Sequence, residues 1–238
     1  MRSIIYNGHN FSACTSAEIV EPPQVLSATS KRVPGRAGAL LVAGRVEPRV
    51  LRVRLFLDPG YLAGTRRLSW IRHGLYSWLV ATDGGTLVVP GDPELTWRDV
   101  VCTGVEGWSN LFETGKCLVE FTCFDPIAYG ATRTVTDNAF EVAGTWRTWP
   151  SVRLVAQAGD AVRVTNISTG EYVYVAHSFA GGEELELDFQ HETVSVDGVD
   201  ASADVSVASD FFTLEPGENE LAFAGCSSHE VAYVERWV

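Results

Sequence analysis

The 238-residue sequence contains no Cys-x-x-Cys, no His-x-His, no His-Glu-x-x-His and no Gly-x-Ser-x-Gly. Those absences remove the usual spacings for a zinc site, a metalloprotease helix and a serine nucleophile elbow. The nearest serine string, Gly107-Trp108-Ser109-Asn110-Leu111, lacks the second glycine. Gly35 and Gly38 are not followed by Gly-Lys-Ser/Thr, so there is no phosphate loop either. Long apolar runs are missing: AGALLVAG at 37–44 is the longest without a charge, far below the roughly 20 residues of a membrane helix. The opening MRSIIYNGHNFSAC turns polar too early to be expected as a secretory signal. Cysteine is sparse and odd in number, at 14, 102, 117, 123 and 226, which argues for free, mostly buried thiols rather than a disulfide framework. The five histidines, His9, His73, His177, His191 and His229, are dispersed and form no ligand pattern. No metal, cofactor or catalytic residue is expected.

Positive charge is also scarce. Eighteen Lys/Arg stand against 30 Asp/Glu, for a net charge of −12, so a membrane surface or specific nucleic-acid partner is not expected, because phosphate binding needs concentrated basic surface. The imbalance is uneven: residues 1–130 hold 13 Lys/Arg and 12 Asp/Glu, whereas residues 131–238 hold 5 and 18. The break falls beside VEFTCFDPIAYG at 119–130, where a strand-like alternation stops at Asp125-Pro126. Proline lacks an N–H and disfavours the helical region for the residue before it, so pairing ends there. Cys117, Val119, Phe121 and Cys123 share one parity, which in a strand places them on one face as small apolar residues. Two domains follow, 1–131 and 138–238.

The first half reads as strands with one helix. Asn7-Gly8 is a hairpin signal, and Pro34-Gly35 suits the central positions of a type II turn. RVLRVRLFL at 49–57 alternates, with Leu51, Val53, Leu55 and Leu57 to one side. From Thr65, a candidate N-cap, Leu68, Ile71, Leu75, Trp78 and Leu79 recur at helical spacing, which predicts an amphipathic helix over about 66–81. The second half is short alternating runs separated by turn residues, including Ser168-Thr169-Gly170, Asp197-Gly198 and the Pro216-Gly217 turn. That spacing predicts an antiparallel β-sandwich, and the chain as a whole is mainly β.

Candidate chemistry is outweighed at each place. Asp197, Asp200 and Asp204 could hold calcium, but their spacing is not that of an EF-hand and Asp197-Gly198 suits a hairpin turn. Glu184, Glu186 and Asp188 share one strand face, as a solvated row does; carboxylates this abundant also leave an acidic glycosidase open. Trp146, Trp149, Tyr172 and Tyr174 could stack on a sugar, which makes a carbohydrate-binding module of β-sandwich type the alternative reading.

The strings YNG, VPGRAG, GDPELTWRDV, VEFTCFDPIAYG, GTWRTWPSVRL, ISTGEYV, SDFFTLEPGENELAFAG and VERWV, in that order along nearly the whole chain, resemble distal tail proteins of long non-contractile-tailed bacteriophages. The resemblance implies an N-terminal domain that forms a six-membered ring and a galectin-like C-terminal sandwich. It implies a structural, non-enzymatic protein of the virion tail tip, assembled in the bacterial host cytoplasm. The implied partners are copies of itself, the tail tube and tape measure proteins, and hub or receptor-binding proteins. The galectin sugar signature is absent: Ser-Phe-Ala follows His177, and neither Trp146 nor Trp149 precedes a glycine. The near-neutral first half suits ring contacts better than the acidic second half, so the candidate contacts are Arg45, Arg49, Arg52 and Arg54 with Asp92, Glu94 and Asp99. Pro34, Gly35, Asp125, Pro126, Pro216 and Gly217 are expected as structural turns.

Overall fold

The computed structural model describes residues 2–20, 26–58, 60 and 68–238. The chain divides into two compact units, Met1–Tyr129 with Val238 and Gly130–Trp237. In the first unit the strands are β1 (Ile5–Tyr6), β2 (His9–Asn10), β3 (Thr15–Val20), β4 (Leu26–Lys31), β5 (Leu40–Val46), β6 (Arg49–Leu57), β7 (Gly85–Val88), β8 (Thr96–Glu106) and β9 (Lys116–Cys123). Helix α1 spans Leu68–Leu79 and α2 spans Trp108–Glu113. Strand β10 (Ala128–Val135) carries the chain from the first unit into the second. The second unit continues with β11 (Ala139–Val142), β12 (Ser151–Ala156), β13 (Val162–Asn166), β14 (Tyr172–Val175), β15 (Glu184–Asp188), β16 (Thr193–Val196), β17 (Val199–Asp200), β18 (Gly217–Ala224) and β19 (Cys226–Trp237).

The first unit is built around β6, which pairs antiparallel with β3 on one side and β9 on the other. Its alternation does what the period-2 pattern requires: Leu51, Val53, Leu55 and Leu57 are buried, facing Val119 and Phe121 from β9. Phe121 packs against Tyr6 with ring centroids 4.9 Å apart, and the Tyr6 hydroxyl donates to the Val100 carbonyl at 3.0 Å. Asn7 (φ 46°) and Gly8 (φ 80°) turn β1 into β2, as a type I′ hairpin demands. On α1, Leu75 and Leu79 are buried and Trp78 packs edge-on to Phe11. The expected N-cap Thr65, residues 66 and 67, and the side chains of Leu68 and Ile71 lie outside the described residues. The six-residue α2 adds a second helix to the one read from periodicity; it is too short to show a period.

The second unit is a sandwich of two antiparallel sheets, in strand order β17-β16-β15-β12-β19-β10 and β11-β18-β13-β14. Val152, Leu154, Leu185, Leu187, Val194 and Val231 from the first sheet meet Val142, Val162, Val164, Val173, Val175 and Leu221 from the second in one core. Phe189 and Phe212 fill it, 4.6 Å between centroids. Fully burying each such side chain is worth about 1.5–3 kcal/mol, which is what lets 108 acidic-rich residues close without disulfides. Asp197 (φ 48°) and Gly198 (φ 76°) turn β16 into β17 with Val196 opposite Val199. Gly170 (φ 82°) closes the β13–β14 loop, where the buried Asn166 side chain accepts from Ser168 and Thr169 N–H groups.

Candidate assembly surfaces

Strands β4 and β5 form a separate two-stranded ribbon, paired from Leu26 opposite Val46 to Lys31 opposite Leu40. Its tip is Val33-Pro34-Gly35-Arg36, where Gly35 sits at φ 80° and the Arg36 N–H donates to the Val33 carbonyl at 3.2 Å. Those are the dihedral and hydrogen bond of a type II turn with proline at its first central position. On β5, Leu40, Leu41 and Val42 are 38%, 70% and 62% exposed. A lone two-stranded ribbon is marginal in water, and apolar residues normally occupy its covered face. The sequence reading used this run only to exclude a membrane helix; the signal it missed is an apolar run with no amphipathic partner strand.

The arginines expected at contacts are engaged within the chain. Arg52 stands opposite Glu120 across the β6–β9 pair and bonds it at 2.7 Å, and Arg54 stands opposite Glu18 across β3–β6, also at 2.7 Å. Such exposed cross-strand pairs contribute roughly 0.2–1 kcal/mol each, so they tune the face more than they hold it. Arg45 pairs with Glu47 at 3.0 Å, and the Arg49 guanidinium lies 4.8 Å from the Trp97 ring centre. Asp92 and Glu94 are exposed on a loop where Leu95 N–H donates to the Asp92 carbonyl, and Asp99 holds φ 50° within β8. The Asp99 carbonyl accepts the Phe124 N–H at 3.0 Å, so Asp99 serves the corner after β9. At that corner Asp125 accepts from the Ile127 N–H at 3.1 Å and from the Tyr129 hydroxyl at 2.6 Å, spanning Pro126 with its own side chain. Arg98 covers the Tyr129 ring at 3.8 Å.

In the second unit Pro216 and Gly217 make a corner closed by a side chain. Gly217 takes φ 100° and opens β18, while the buried Asn219 amide donates to the Glu215 and Gly217 carbonyls at 2.7 and 3.0 Å and accepts the Glu215 N–H at 3.3 Å. Sequence reasoning passed over Asn219, although an Asn two residues beyond Pro-Gly suits this role. Glu184, Glu186 and Asp188 occupy the outward face of β15, with Arg153 bridging the two glutamates. The three aspartates weighed for calcium each serve a different partner: Asp197 accepts the Glu184 N–H, Asp200 caps Ser202 and Asp204 bonds His177. Among the described residues no group of three His, Cys, Asp or Glu side chains is placed to hold a metal. The aromatic faces weighed for sugar are partly covered, with Arg236 over Trp149 at 4.5 Å and Arg163 over Tyr172 at 4.0 Å.

All five cysteines are free, and Cys14, Cys117 and Cys123 are buried. Burial pushes the Cys117 thiol up to about 12 and Cys14 to about 11, and raises Cys102 and Cys226 as well. The thiolate is the nucleophile, so its population at neutral pH falls as the pKa rises. Native protein should therefore react slowly with a thiol reagent, and denaturation without reductant should release all five thiols. A shortfall from five would reveal a disulfide.

Residues 143–237 match the family model described as the siphovirus-type tail component, C-terminal domain. That match covers less than half of the chain and lies within the second unit. The whole chain is similar in structure to the Dit protein (gp 19.1) of phage SPP1, described as a paradigm of the hub adsorption apparatus in phages infecting Gram-positive bacteria. The TM-score is 0.77 at 16% identity, over 99% of both chains. A chain of the phage p2 baseplate in its activated conformation aligns at TM-score 0.45 and 8% identity, over 93% of this chain and 90% of that one. No curated protein sequence matches the chain. The likeness to distal tail proteins, read from strings spread along the sequence, is borne out by the tail-component domain and the Dit fold, as is the mainly β architecture.

Proposed function

We propose that the chain is the distal-tail protein of a long non-contractile phage tail. It acts as a non-enzymatic building block that joins head-to-tail with copies of itself into a six-membered ring. The ring sits in the virion between the tail tube, with its tape measure protein, and the hub or receptor-binding proteins of the tip, and it is built in the host cytoplasm. The tail-component domain and the Dit fold support the setting. The observation that carries self-assembly is the β4–β5 ribbon, on which Leu40, Leu41 and Val42 are exposed. A head-to-tail ring needs two different patches on one subunit, one giving and one receiving. The ribbon, with Arg45 at its base, is the giving patch, and the outward face of β3, β6 and β9, with its Glu18, Arg52, Arg54 and Glu120 pairs, belongs to the receiving side together with Arg49, Asp92, Glu94 and Asp99.

Sedimentation of the full chain and of fragments 1–129 and 130–238 tests this. The first fragment is expected to assemble and the acidic second to stay monomeric. The cut belongs at 129/130, because β10 runs on to Val135 through the segment that the sequence reading left between domains. An oligomeric second fragment beside a monomeric first would reverse the assignment of roles.

A further inference from the structure

The ribbon that carries the self-assembly reading is also charged with one sign only. Residues 26–46 include Lys31, Arg32, Arg36 and Arg45 and not one Asp or Glu, in a chain where carboxylates outnumber cations 30 to 18. Arg45 is matched by Glu47 at the ribbon's base. Lys31, Arg32 and Arg36 surround the Pro34-Gly35 tip, all exposed, and none has an ion-pair partner among the described residues. The tip therefore gathers three uncompensated cations within six residues. Sheet proteins use such cations to keep an edge from pairing at random, but Lys31 is the last paired residue and Arg32 and Arg36 lie beyond it in the turn, where no edge needs protecting.

On the other unit the opposite excess is built into the sheet. Glu141 stands directly opposite Glu218 across β11 and β18, and Glu220 follows on the same face. Like charges directly opposed across strands destabilise the pair. These three line an open groove of about 500 Å³ with Ala139, Phe140, Ser168 and Asn219, and no arginine is among its described lining residues.

We infer that the cationic tip of the β4–β5 ribbon docks on the acidic β11–β18 face of a second copy of the chain. This rests on the self-assembly reading and adds to it where the ribbon ends. Complementary charge chooses the partner: the second half carries 18 carboxylates against 5 arginines, so a neighbouring copy presents the field that a three-cation tip seeks. The exposed apolar residues on the same ribbon select protein over nucleic acid, and a chain at −12 repels phosphate as a whole.

The experiment uses the full chain and measures mass by sedimentation across a salt series. Assembly should weaken as salt rises, because exposed pairs are screened within about 8–10 Å at 0.10–0.15 M. K31E/R32E/R36E should raise the concentration needed for assembly about tenfold or more, E141K/E218K/E220K should do the same, and the two sets combined should restore it. Each variant's circular dichroism melt serves as the folding control. If both charge-reversed sets assemble as the parent does, the docking is wrong while self-assembly stands. A parent chain that is monomeric at every salt concentration overturns both. Retardation of duplex DNA by the parent, lost with K31E/R32E/R36E and accompanied by unchanged assembly, assigns the tip to nucleic acid and overturns the inference.

Discussion

Replacing Leu41 and Val42 together by aspartate should leave the chain folded and monomeric. Both side chains are mostly exposed, at 70% and 62%, so their removal takes nothing from the core of either unit. Exposed substitutions away from caps, cores and buried networks usually change stability by no more than about 0.5 kcal/mol, and the ribbon's backbone pairing does not depend on these side chains. In an assembled ring the same two residues would be covered, and covering each is worth about 1.5–3 kcal/mol. Carboxylates in their place would have to be desolvated without partners. The effect repeats at every contact, so the loss is close to complete at concentrations where the parent chain assembles. Sedimentation velocity reads the mass and a thermal melt reads the fold. A double variant that assembles normally would falsify the ribbon as a ring contact, while a collapsed melt would show that the ribbon packs on its own unit.

The sequence was most readable where a residue type has only one good use. The β6 alternation, the Asn7-Gly8 and Asp197-Gly198 turns and the Leu75/Leu79 stripe of α1 all follow from side-chain period or from the need for positive φ. Asp125-Pro126 was legible as a stop, yet not the way it is made. The Asp125 side chain bonds Ile127 and Tyr129 across the proline, so β10 begins at once instead of a loose linker. The ion pairs of Arg52 and Arg54 were hidden because they join positions 68 and 36 residues apart, fixed by strand register and by nothing local. Asp99 shows the same limit: its φ of 50° inside β8 belongs to an irregularity that no local propensity announces. The candidate surface was half visible, as charge, and half not. An apolar run such as Leu40–Val42 reads as core until the fold leaves it outside.

Gly225→Ala should be strongly damaging in the second unit, where Gly144 is the other glycine whose Cβ would press on a backbone oxygen. Gly225 joins β18 to β19 at φ 81°, a left-handed conformation that costs a residue with a Cβ roughly 1–2 kcal/mol. A Cβ there would also press on the Ala161 carbonyl oxygen and the Ala161 carbonyl carbon, closer than real Cβ atoms approach in the first case. Backbone cannot rotate away as a flexible side chain can. The Gly225 carbonyl accepts the Gln157 N–H at 2.8 Å, and Arg163 begins the β13–β18 pairing opposite Ala224, so a shift at 225 disturbs the junction of both sheets. A loss of about 3 kcal/mol is expected, and for a unit of this size that lowers the melting temperature by more than about 10 °C. Gly170→Ala supplies the comparison, since Gly170 has nearly the same φ, 82°, but open space where the Cβ would go. It should cost only about 1 kcal/mol, the conformational part alone. Calorimetry of both variants separates the two causes. Equal losses would mean that the turn moves aside freely at Gly225, and that close approach of β18–β19 to Ala161 contributes nothing to holding the sandwich together.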